Sequence, residues 1–123
     1  MDEYIETAKY DINSKKRKRA IDYITDESVL IDVAKYDSKF FIREKAAKHI
    51  TDQNALLDIV VNDTSPDIRK IAVGRIHDEK TLLDIAKNET DEDVIREAIN
   101  HIRDEVILLD LLGREDIFKE NFT

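Results

Sequence analysis

Apolar residues recur along this chain at helical spacing, in short groups separated by polar residues. Two of the clearest groups are Leu56, Ile59 and Val60, followed by Ile68, Ala72 and Ile76. Spacings of three and four residues place each group on one face of an α-helix. Between the groups, Ser65 and Pro66 are typical of a helix start, with Ser as the N-cap and Pro at the first helical position. Residues 51–76 are therefore predicted to form two short helices.

The whole pattern repeats every 26 residues. Five columns of identical residues share this register, and each recurs at three further steps of the period. The columns begin at Ala20, Ile24, Asp26, Leu30 and Asp32. Because such agreement is hard to obtain by chance, the pattern predicts an array of structural repeats.

The fold class predicted from the repeat is all-α: an α-solenoid of helix pairs with about four and a half copies of the unit. We call the two predicted helices of each unit its first and second helix. Each is too short to persist alone in water, so neighbouring units must stabilise one another by stacking. The expected organisation is a single domain, residues 1–123. Its parts are an N-terminal cap of about 1–24, full repeats of about 25–50, 51–76 and 77–102, and a C-terminal cap of about 103–123.

The composition supports helices and removes several kinds of chemistry. Only two glycines and one proline are present, whereas turn-rich β folds need more of both. The absence of cysteine excludes disulfides, thiolate nucleophiles and cysteine-ligated metal centres. The acidic N-terminus is not expected to be a signal peptide, and no apolar stretch approaches a membrane span. A cytoplasmic protein without a membrane association is the expectation.

The second-helix segments resemble the Asp-x-Val-Arg-x-x-Ala core of HEAT-type repeats. Residues 67–72 read Asp-Ile-Arg-Lys-Ile-Ala, and residues 41–47 read Phe-Ile-Arg-Glu-Lys-Ala-Ala. The first-helix segments, 25–34 and 51–60, resemble short bacterial and archaeal HEAT-like or variant leucine-rich repeats. The resemblance covers nearly the whole chain, although Arg96 lies one position later than its counterparts Arg43 and Arg69.

The resemblance implies mainly a protein-binding scaffold, because most HEAT-like folds serve that role. Some DNA glycosylases are also built from HEAT-like repeats, which keeps nucleic-acid binding open as an alternative. Iron-binding HEAT-like hydroxylases use His-Glu dipeptides, and none occurs here. The dispersed histidines, His49, His77 and His101, do not suggest a metal site. No catalytic residue, cofactor or metal is therefore predicted, and the protein is not expected to be an enzyme.

Arginines form a further column on the second helices, at Arg17, Arg43 and Arg69. A helical projection places them beside apolar residues. A desolvated guanidinium must be paired, so a structural ladder of ion pairs between repeats is favoured over an anion clamp. The candidate partners on the first helices are Asp32, Asp58 and Asp84, a pairing that the sequence alone does not fix.

Charge is unequally divided between the two sets of helices. Every first-helix segment is net acidic, whereas the first three second-helix segments are net basic and the fourth is acidic. The outward positions of the second helices form a predicted basic ridge with one exposed aromatic residue. Its members, the partner-binding candidates, are Lys15, Lys18, Arg19, Phe41, Lys45, Lys48 and Lys70.

The leading hypothesis is a scaffold that binds another protein, through an acidic segment, on the second-helix face. This face is concave if the solenoid curves in the usual HEAT sense. The alternative is binding of nucleic acid through the same basic residues, against which the net charge of −8 argues. An end-to-end homodimer is also conceivable through apolar residues near the C-terminus, namely Leu111, Leu112, Ile117 and Phe118.

Overall fold

The computed structural model describes residues 2–111, and within this range the protein is all-α, with nine helices and no strand. The helices are α1 (Glu3–Tyr10), α2 (Ser14–Ile21), α3 (Glu27–Tyr36), α4 (Phe40–Ala47), α5 (Gln53–Asn62), α6 (Pro66–Val73), α7 (Glu79–Asn88), α8 (Glu92–Asn100) and α9 (Glu105–Asp110). The bounds of α3, α5 and α7 differ by the 26 residues of the sequence period, and so do those of α4 and α6. The prediction of an all-α fold is confirmed.

The aspartate column that begins at Asp26 marks the start of each first helix from α3 onward. Asp26, Asp52, Asp78 and Asp104 are N-caps whose carboxylates accept hydrogen bonds from backbone N–H groups of the first turn. Pro66 is the first residue of α6, as predicted. Ser65 occupies the N-cap position there, but its side chain makes no capping hydrogen bond.

Consecutive helices pack as pairs, α1 with α2, α3 with α4, α5 with α6 and α7 with α8. The second helices of successive pairs also pack against one another in series, from α2 to α8, and they do so more extensively than the first helices. Ala46, Ala72 and Ala98 of the alanine column are fully buried. Their small side chains allow helix axes to approach closely.

The hydrophobic core runs through all of the pairs. Each member of the isoleucine column is buried, at Ile24, Ile50, Ile76 and Ile102. All buried side-chain nitrogen and oxygen atoms of residues 2–111 have a hydrogen-bond partner. Among the described helices, none has the length and apolar character needed to cross a lipid bilayer.

Candidate partner-binding surfaces

The column arginines form a continuous buried ladder of ion pairs, with an acid twenty residues further along the chain. Arg17 Nε lies 3.0 Å from Asp37 Oδ2, and Arg43 Nε lies 3.1 Å from Asp63 Oδ2. Arg69 Nη2 lies 3.0 Å from Glu89 Oε1. The six side chains are between 5% and 14% exposed. This set is called the arginine ladder below.

Each step of the arginine ladder is joined to the next through the backbone. Arg43 Nη1 donates to the carbonyl oxygen of Asp37 at 2.9 Å, and Arg69 Nη1 donates to that of Asp63 at the same distance. Asp37 and Asp63 therefore bind one arginine with the carboxylate and the next with the carbonyl group. The pairing satisfies the guanidinium groups, as burial requires. It supports the structural interpretation of this column.

The acids of the arginine ladder differ from the candidates Asp32, Asp58 and Asp84. The carboxylate that each arginine binds lies in the linker after the next first helix, where Asp37 follows α3 and Asp63 follows α5. The three candidates lie further back, within α3, α5 and α7. The signal that identifies the true partners is the 26-residue column of acids after each first helix, Asp11, Asp37, Asp63 and Glu89.

The shift of Arg96 by one position removes it from the arginine ladder. Ile95 occupies the fourth position of the column and is only 8% exposed. Arg96 instead lies at the surface, with Nη1 3.3 Å from Asp93 Oδ1 on the preceding turn. Within residues 2–111 the ladder therefore has three arginines.

Lysines on the first helices form a second column that bridges neighbouring pairs. Lys9 Nζ lies 3.0 Å from Asp32 Oδ2, and Lys87 Nζ lies 2.6 Å from Asp110 Oδ2. Lys35 forms the equivalent ion pair with Asp58. We call these pairs the lysine bridges. They were not predicted, although the 26-residue spacing of Lys9 and Lys35 was visible in the sequence.

Three members of the lysine bridges, Lys9, Lys35 and Asp58, have a shifted pKa. The pKa of Lys9 is raised, mainly by its hydrogen bond to Asp32, and that of Lys35 is raised by its hydrogen bond to Asp58. The pKa of Asp58 is lowered by hydrogen bonds, first from Lys35 and then from Asn62. Each charged form is therefore favoured by its partner.

The lysine column is interrupted at one position. Val61 stands 26 residues after Lys35 and before Lys87, and its side chain is 70% exposed. Asp84, the acid that a lysine at position 61 would meet, has no ion pair with any of residues 2–111. A groove of about 500 Å³ lies here between α5 and α7, with Leu57, Val61 and Asp84 in its lining.

A third set of contacts ties α3, α5 and α7 to the linker that precedes the next first helix. Glu27 Oε1 accepts a hydrogen bond from the backbone N–H of Asp52 at 2.8 Å, and Glu79 Oε1 accepts from Asp104 N at 2.9 Å. Gln53 Oε1 accepts from His77 N in the same manner. The pKa of Glu27 is lowered, chiefly by the Asp52 N–H. These contacts hold the helix pairs in register.

Most cations of the predicted basic ridge are exposed. Lys15, Lys18, Arg19, Lys48 and Lys70 are all exposed to solvent. Lys48 has an acid near it, since its Nζ lies 3.5 Å from Glu44 Oε1. The other four form no ion pair with residues 2–111.

Two members of the predicted ridge are occupied in contacts between helices. Lys45 Nζ lies 3.0 Å from Asp22 Oδ2 and donates to the carbonyl oxygen of Lys18. Phe41 is half-buried and packs against the core, with Lys18 Nζ 5.8 Å from the centre of its ring. The prediction that Phe41 is the exposed aromatic residue is wrong. Phe40, one position earlier, is 56% exposed instead.

Two further expectations from the sequence concern a metal site and the apolar residues near the C-terminus. Residues 2–111 contain no group of three or more His, Asp or Glu side chains arranged to hold a metal ion. Leu111 is buried in the core, and the other three residues considered for a homodimer lie outside the described range.

No protein-family model, no curated protein and no solved structure matches this chain.

Proposed function

We propose that this protein is a non-enzymatic interaction module of the HEAT-like type, a short α-solenoid that binds an acidic segment of another protein. The second helices form the binding face. Their more extensive mutual packing, compared with the first helices, is what the inner, concave side of a curved stack requires.

The observation that carries the proposal is the group of exposed cations on α2 and α6. Lys15, Lys18, Arg19 and Lys70 form no ion pair with any residue of the described range 2–111, in a protein whose net charge is −8. The arginine ladder and the lysine bridges use up other basic residues in internal pairs. An acidic partner would supply the missing counter-charge and be steered by it.

A segment of carboxylates is favoured over nucleic acid by the charge around these cations. Asp67 adjoins Lys70, and α8 presents Glu92 and Asp93 at the end of the second-helix series. A long polyphosphate backbone would cross these acids, whereas a short acidic peptide would contact only the basic part. Nucleic acid is the second candidate, favoured only by the cluster of basic residues on α2.

The proposal is tested with a short fluorescein-labelled oligoglutamate, whose fluorescence anisotropy is followed during titration with the protein. We expect saturable binding that weakens about tenfold for Lys15→Glu and for Lys70→Glu, because each change replaces an attraction with a repulsion. A double-stranded DNA of equal charge is titrated in parallel.

The matched control is Lys80→Glu, which makes the same change of charge at an exposed lysine on the first helix α7. Its binding should fall by no more than about twofold. Equal losses for all three variants would show that only the net charge matters and would overturn the proposal. Tighter binding of the DNA than of the peptide would favour the second candidate.

A further inference from the structure

We propose that the groove between α5 and α7 is a binding site for a lysine side chain of a partner protein. This site lies on the first helices, so it is separate from the basic surface of the proposed function and does not depend on it. Its lining includes Asp84, which forms no ion pair with the described part of the chain, and the apolar side chains of Leu57 and Val61.

The groove one step earlier in the sequence shows what such a site accepts. Between α3 and α5, the aliphatic stem of Lys35 occupies the position equivalent to Val61, and its ammonium group binds Asp58. Tyr36, which precedes Asn62 by the same 26 residues, also lines that groove. The Lys35–Asp58 contact therefore shows, within one chain, the contact that we propose between Asp84 of α7 and a lysine of a partner protein.

The two equivalent grooves differ in the room that they offer. The groove that contains Lys35 has a volume of about 170 Å³. The groove that contains Val61 has a volume of about 500 Å³. Replacing Lys and Tyr by Val and Asn thus leaves space for a long side chain and for part of the backbone that carries it.

The walls of the larger groove fit the two parts of a lysine. Leu57 and Val61 are 36% and 70% exposed, so both offer apolar surface to a four-carbon stem. Asp84 offers the carboxylate that the ammonium group requires. At the base, the buried Arg69–Glu89 pair is closed on itself and adds no net charge.

The charge of the surrounding surface favours the same occupant. All first-helix segments are net acidic, and the exposed Asp84 lies within one of them. An acidic partner would be repelled here, and a purely apolar one would leave Asp84 facing hydrocarbon. A lysine flanked by apolar residues satisfies both parts of the groove.

The test uses the pentapeptide acetyl-Ala-Leu-Lys-Leu-Ala-amide and the same peptide with norleucine in place of lysine. Binding is followed at low salt by the amide chemical shifts of the protein in two-dimensional NMR. We expect the shifts to concentrate at Leu57, Asp84 and Asn88, and the lysine peptide to bind about tenfold more tightly than the norleucine peptide.

Two variants test the site, one by removing the charge of the acid and the other by filling the groove with a lysine of the chain itself. Asp84→Asn should weaken binding of the lysine peptide about tenfold, and Val61→Lys should abolish it by supplying the ammonium group from the chain itself. Asp58→Asn is the control, because its groove is already filled by Lys35, and it should leave the affinity unchanged. Circular dichroism checks that each variant keeps its helices.

Equal affinity for the two peptides would overturn the proposal, since the acid would then play no part. Undiminished binding by a folded Val61→Lys variant would overturn it as well. An equal loss in Asp58→Asn and Asp84→Asn would do the same, because the open groove would then have no special role.

Discussion

The grooves α3–α5 and α5–α7 are built from equivalent residues, yet one is closed and the other is open. A step of the arginine ladder contributes to each groove, and we call it the floor of that groove: Asp63 of the Arg43–Asp63 pair lines the first, and Arg69 and Glu89 both line the second. Both have an aspartate on the farther helix. They differ at the lysine column, where Lys35 in the closed groove corresponds to Val61 in the open one.

This difference indicates which positions of a repetitive chain are candidates for binding a partner. Contacts that recur between successive pairs, such as the three steps of the arginine ladder, explain how the pairs hold together. A position that departs from its column while its neighbours keep it, such as Val61, leaves one acid without an ion pair among residues 2–111. That acid, here Asp84, is then the candidate for an external contact.

The largest effect is expected from breaking the shared floor of the two grooves. Arg43→Ala and Arg69→Ala should each lower the free energy of unfolding by about 3 kcal/mol, because each leaves a buried carboxylate unpaired. Urea denaturation followed by circular dichroism measures the loss. Arg96→Ala is the surface control and should cost about 0.5 kcal/mol or less.

The losses of unfolding free energy in Arg43→Ala and Arg69→Ala should agree within about 1 kcal/mol if the two arginine pairs are equivalent. A change at Arg69 that cost no more than the change at Arg96 would contradict the equivalence of the grooves.

A smaller effect is expected from pH at the floor of the open groove. Burial raises the pKa of Glu89, but hydrogen bonds from Arg69 and from backbone N–H groups outweigh it and hold the pKa below the ordinary 4.5. The unfolded chain therefore binds the proton more readily. The contribution of ionised Glu89 to stability is complete above its unfolded pKa and is lost as pH falls through the lower folded pKa.

Glu89→Gln should accordingly show a shallower loss of stability than the parent protein as the pH is lowered from about 6 to about 3. Urea denaturation across that range provides the comparison. Parallel pH profiles for the two proteins would show that Glu89 does not hold its low pKa in the folded state.

The smallest effect is expected from closing the open groove. Val61→Lys should form the missing lysine bridge with Asp84 and raise the melting temperature by about 2 °C, since exposed ion pairs contribute little. The gain should vanish in the double variant Val61→Lys/Asp84→Asn. A gain that survived in the double variant would mean that position 61 is stabilised by something other than the bridge.

The helices and their caps could be predicted from the sequence because they depend on local spacing. The 26-residue columns identified the buried isoleucines and alanines, and Pro66 identified the start of α6. The pairing of charges could not be predicted in the same way. Which acid Arg43 meets depends on the path of the linker between two helices, and that path follows from packing.

The choice between Phe40 and Phe41 failed for a related reason. A helical projection assigns faces by angle, but it does not include the neighbouring helix that covers Phe41 near the beginning of α4. The open groove was missed because the spacing of Lys9 and Lys35 does not by itself show that these lysines form ion pairs between helices. Val61 then stands out as the exception.

Whether the open groove between α5 and α7 binds a lysine side chain is tested most directly by counting the sites that bind the lysine pentapeptide. NMR titration with the lysine pentapeptide would compare the parent protein with Lys35→Val, which empties the closed groove, and with Val61→Lys, which fills the open one. We expect one site in the parent protein, a second at Asp58 in Lys35→Val, and none in Val61→Lys. The same single site in all three proteins would contradict that expectation.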